Sequence, residues 1–114
     1  MAGLSTVQVT IAEGESISGP FSTQGFDFIY VFTDDAWTQN CIAVDAALDI
    51  YAPTWSPHVG PNTPSDPVPG PGVVMLSEYC IKLPYLRIKS VDADGNEEVQ
   101  ASETVLTIFR VKVP

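Results

Sequence analysis

Residues 92–103, Asp-Ala-Asp-Gly-Asn-Glu-Glu-Val-Gln-Ala-Ser-Glu, are the stretch with the most to offer a metal ion. Laid on the loop of a helix-loop-helix calcium site, they give oxygen side chains at positions one, three and five, an apolar residue at eight and a Glu at twelve. Position six, where the sharp turn demands Gly, is Glu97, and the flanking residues 85–91 and 104–113 are rich in β-branched types where helices are required. The stretch therefore predicts a β-hairpin turned at Asp94-Gly95, with solvated acids and no bound calcium.

Other reactive groups are sparse. His58 is the only histidine, so no imidazole pair can hold a metal, and a general base would need an orienting partner within hydrogen-bond reach. Asp34-Asp35, or Asp45, Asp49 and Glu78, could supply the two carboxylates that a glycoside hydrolase sets across a cleft. Acids at strand ends are ordinarily solvated turn residues, which is the expectation here. The chain has no G-x-S-x-G elbow, no glycine-rich phosphate loop and no C-x-x-C pair. Cys41 and Cys80 lie in apolar segments and are expected to be buried free thiols. The sequence reads as a non-enzyme with no cofactor.

Composition narrows the partners. Fourteen acids stand against five Lys and Arg, a net charge of −9, which argues against phosphate backbones and anionic membranes as ligands. At 114 residues and 45% hydrophobic content, residues 1–114 are expected to form one domain around one core. The first residues carry neither a basic n-region nor an apolar h-region, so synthesis in a cytosol without a secretory signal is expected.

The elements that must position these groups are strands. Residues 6–11 alternate polar and apolar; 17–21 form a short strand whose Pro20 marks an edge or a bulge. Residues 26–33, dense in aromatic and β-branched types, are the best candidate for a central strand. Residues 41–49 are ambiguous because their alanines permit a helix, but alternation favours a strand. Residues 73–76 and 85–91 follow, with 77–80 a turn or one helical turn between them. The last stretch, 104–113, should bulge or be buried on both faces, since Leu106, Ile108 and Val113 cannot share one face at period two. These short strands predict an all-β fold, an antiparallel β-sandwich of jelly-roll type whose first and last strands are neighbours.

Seven of the ten prolines fall in residues 53–72, a stretch that can be neither helix nor central strand. It is expected to be a proline-rich arm inserted in a loop, stiff and extended enough to reach a neighbouring subunit. Trp37 is expected in the core. Trp55, in the arm, is either a contact residue or a lid on its own domain, since its ring suits both.

Three pieces together, "SISGPF", "AWT" at residues 36–38, and "YLRIKS" followed by a polar loop and "TVLTIFRVKV", resemble a family of small tailed-phage virion proteins. These form β-sandwich capsid decoration, cement or head-fibre modules. The likeness runs from about Val7 to Val113. The chain departs from it at residues 45–49 and the arm that follows, which makes the arm an insertion. The resemblance implies a virion protein on the outer capsid surface, with the major capsid protein as partner, a trimer as the favoured homo-oligomer, and neither nucleic acid nor membrane as ligand. Tyr51, Trp55, His58, Val59 and Pro61 would be its contacts, together with the N-terminal strand. The alternative is a carbohydrate-binding sandwich or head fibre that stacks host glycans on Trp55 and Tyr51.

Overall fold

Apolar residues at every second position fix which side of each strand turns inward. The computed structural model describes residues 3–51, 53–58, 65–76 and 81–114, and among these there is no helix. The strands are β1 Gly3–Ile11, β2 Ile17–Ser22, β3 Phe28–Phe32, β4 Cys41–Ala47, β5 Ser56–Pro57, β6 Val73–Met75, β7 Tyr85–Val91 and β8 Thr104–Lys112. They form two four-stranded antiparallel sheets, ordered β1-β8-β3-β6 and β2-β7-β4-β5. The order nests four antiparallel pairs: β1 with β8, β2 with β7, β3 with β6, and β4 with β5.

The two sheets close on one core as a β-sandwich. Val9, Ile11, Ile29, Val31, Leu106 and Ile108 of the first sheet meet Phe21, Ile42, Val44, Leu86 and Ile88 of the second. Residues 41–47 are strand, as their alternation favours, and the first and last strands pair along their whole length, from Gly3 opposite Lys112 to Ile11 opposite Thr104. Pro20 meets both expectations at once: β2 is an edge strand, and its register shifts between Ile17 and Pro20. Trp37 is buried in the core.

Two expectations need correction. β8 has no bulge, since its register with β1 and β3 is continuous. Val113 lies past the end of the strand, where its backbone N–H donates to Asp27 Oδ2 at 2.9 Å, so it makes no demand on the inward face. The turn at Asp94-Gly95 does form, with Gly95 at φ +87° and Gly95 N–H donating to the Asp92 carbonyl at 3.0 Å. It closes only a single bridge between Val91 and Glu97. Beyond it β7 and β8 part to opposite sheets, because the chain must cross the sandwich. At that crossing Gln100, fully buried, accepts from Thr38 N–H at 2.7 Å and donates to Ser90 Oγ at 2.8 Å.

The proline-rich stretch is not a free arm where it is described. Ser56 and Pro57 pair with Ala46 and Asp45 as β5, and His58 N–H donates to the Val44 carbonyl at 3.0 Å. Further on, Ser65 N–H donates to the Ile42 carbonyl, Ser65 Oγ accepts from Ile42 N–H, and Val68 N–H donates to Asn40. Residues 56–58 and 65–68 thus descend along the free edge of β4 in antiparallel sense, and the Val68 side chain is buried in the core. Proline cannot offer an N–H to a further strand, so this segment also closes the sheet to edge-to-edge pairing.

Candidate functional site

Three of the acids considered for chemistry, Asp34, Asp45 and Asp49, make bonds that hold the fold. Asp34 accepts from Ala36 N–H at 3.0 Å and from Val105 N–H at 2.9 Å, tying the end of β3 to β8. Asp49 accepts from Tyr51 N–H at 2.8 Å. Asp45 is buried on the outer side of β4 and bonded to two cations: Arg87 Nε and Nη2 at 2.9 Å on Oδ2, and Lys89 Nζ at 2.9 Å on Oδ1. Glu78 and Cys80 lie outside the described residues. Cys41 is a buried free thiol, its pKa pushed up first by burial and then by Asp66 and Asp92.

Among the described residues no cluster of His, Cys, Asp or Glu could hold a metal. The Asp92 carboxylate instead folds its own turn, accepting from Asp94 and Asn96 N–H at 2.9 Å and from the Asn96 side-chain amide at 3.3 Å. The Asn96 backbone bond comes first among the causes that hold its pKa below the ordinary 3.8, against a smaller opposing effect of burial. A carboxyl depressed in the folded state stabilises above its unfolded value and loses that contribution as pH falls through the lower, folded one. Protection of the Asp94 and Asn96 amides from hydrogen exchange should therefore persist to below pH 3.8 and fade in stronger acid. Asp92→Ala should abolish that acid step, and a step that survived the substitution would assign it to another group.

The expected contact residues divide. Tyr51 is 96% exposed. Trp55 is half-buried and lies over the Arg87 guanidinium, 4.7 Å from ring centroid to the carbon. His58 is half-buried beside β4. Val59 and Pro61 lie outside the described residues. A groove of about 410 Å³ runs past Ala47, Leu48, Thr54, His58 and Leu83.

A different surface stands out. On the outward side of the β1-β8-β3-β6 sheet, Leu4, Val111 and Phe28 form one row in register, Thr6, Phe109, Tyr30 and Met75 a second, and Gln8, Thr107, Phe32 and Val73 a third. Phe109 lies 6.3 Å from both Tyr30 and Phe32, edge-on to Phe32. Leu4, Phe28, Phe32, Val73 and Met75 are all exposed. Not one side chain in these rows is charged, in a chain of net charge −9. An antiparallel sheet with a solvated face ordinarily alternates apolar-in and polar-out, and a contiguous apolar patch of this kind marks a contact surface. The sequence reading missed it, although the signal is present: residues 28–32, Phe-Ile-Tyr-Val-Phe, are apolar on both faces, while the domain has a core for only one.

No family model matches the chain, and no curated protein or solved structure matches it. Among the described residues no helix is long and apolar enough to cross a membrane. What fold and site define together is a β-sandwich with one uncharged, aromatic-rich sheet face.

Proposed function

We propose that this protein works by contact rather than catalysis, as an oligomeric capsid decoration protein that binds the outer face of a phage shell and bridges its subunits. The observation that carries the reading is the uncharged apolar sheet face, which suits a protein that acts within an assembly. The nested strand pairing is compatible with a jelly-roll winding, an architecture used by viral capsid and lectin domains alike, so the winding alone does not choose between them. Against the glycan-binding alternative, Trp55 has one ring face taken by Arg87, which leaves only its other face for a sugar.

Tyr51, Trp55, His58, Val59 and Pro61 remain the proposed shell contacts, with Tyr51 the most exposed of those described. The test is co-sedimentation with empty shells of a major capsid protein from the phage that encodes this chain. Saturable pelleting is expected, together with a higher temperature of shell disruption. Tyr51→Ala should weaken pelleting about tenfold if its ring is a contact anchor. Protein that stays in the supernatant at all shell concentrations would overturn the proposal.

A further inference from the structure

We infer that the outer face of the β1-β8-β3-β6 sheet is the contact between two copies of this chain, packed face to face about a twofold axis. The inference rests on the same face as the assembly reading and names its occupant; it requires no shell.

Charge is the first argument. Two molecules that each carry −9 repel at most relative orientations. The rows centred on Phe109, Tyr30 and Phe32 are where copies can meet without opposing like charges. A basic partner would be recognised by acids, which the rows do not offer, and an acidic one by cations, which they also lack. Hydroxyls such as those of Thr6, Tyr30 and Thr107 are compatible with a partner face of the same composition.

Area is the second. With strands about 4.8 Å apart and a rise of about 3.4 Å per residue, each of the eleven outward positions in the three rows occupies about 4.8 by 6.8 Å, a face of about 360 Å² in plan. Two such faces cover about 720 Å² in plan, and a corrugated side-chain surface exceeds its plan, which brings the pair near the roughly 1,000 Å² that a specific interface needs. Shape is the third. Sheets stack face to face about 10 Å apart at the angle their twist sets, and an isologous contact of this kind closes at two copies. A twofold pair is a different assembly from the trimer that the resemblance implies.

Light scattering on the full chain over a wide dilution series is the test, with Phe32→Lys and Val73→Lys on the face and Leu48→Lys, exposed after β4 on the other sheet, as control. The native chain should weigh twice 12.3 kDa. Each face variant places a cation opposite its own copy and should weaken pairing at least about a hundredfold, with the far-ultraviolet circular dichroism of the strands retained, while Leu48→Lys should stay paired. Val73 sits on the short edge strand β6 and is already half exposed, so its variant tests the face even where Phe32→Lys fails to fold. A single-chain mass at every concentration, a mass of three chains, or face variants that remain paired would each overturn the inference. Pairing that persists when shells are not bound would separate it from the capsid proposal.

Discussion

Asp45→Ala should destabilise the fold by about 2–3 kcal/mol, read as a lower urea midpoint at unchanged slope. Asp45 is 5% exposed, and its carboxylate holds Arg87 through two nitrogens and Lys89 through one. Removing it leaves two cations, with side chains 25% and 16% exposed, facing each other with nothing between them. Breaking a fully buried pair this way typically costs about 3–5 kcal/mol, and the partial exposure of both cations reduces that because water can reach them. The effect should extend to the arm, since Trp55 rests on a guanidinium that Asp45 fixes. Trp55 fluorescence should shift toward that of a solvated indole before global unfolding. Asp49→Ala, a change at an exposed turn, should stay within about 0.5 kcal/mol of the native chain. Equal effects at the two positions would show that the Asp45 triad contributes no more than an exposed acid.

The triad also marks where the sequence stopped being legible. Strands 6–11, 85–91 and 104–112 could be read because each turns one face to the core, so their period of two survives as a pattern of residue types. Asp45 was read with the turn acids because its partners are distant in sequence, although Arg87 and Lys89, two apart on an alternating strand, already form a positive stripe that needs an acid on the neighbouring strand. Residues 28–32 were legible as a strand but not as half of an exposed face, because a run apolar at every position does not say which side the core takes. The arm was the least legible. Beyond the two-residue β5, its docking runs through Ser65 Oγ, Thr33 Oγ1 and backbone carbonyls, and prolines leave no periodic trace of where a segment lies.

Val68→Asp tests that docking most directly and should have the largest effect of any single change in the arm. Val68 is 4% exposed within the core cluster, held by its own N–H on Asn40. It is followed by Pro69, whose carbonyl accepts from Thr33 Oγ1 at 2.9 Å, and by Gly72, whose carbonyl accepts from Thr33 N–H and whose own N–H donates to Thr33 Oγ1. Gly70 lies so close to β3's end that a Cβ there would come within 2.5 Å of the Asp34 carbonyl oxygen, so the segment has no room to slide aside and keep the new carboxylate wet. Either the charge is buried unpaired or the whole of 65–72 lifts away, and both cost at least about 3 kcal/mol. The melting temperature should fall by at least about 10 °C. Because lifting the segment also uncovers the edge of β4, aggregation on heating should increase. Pro67→Asp adds the same charge one residue earlier at an exposed position and should leave both properties nearly unchanged. Were the stretch an independent strap reaching outward, the two variants would melt alike, and the difference between them therefore measures how far the proline-rich segment belongs to its own sandwich.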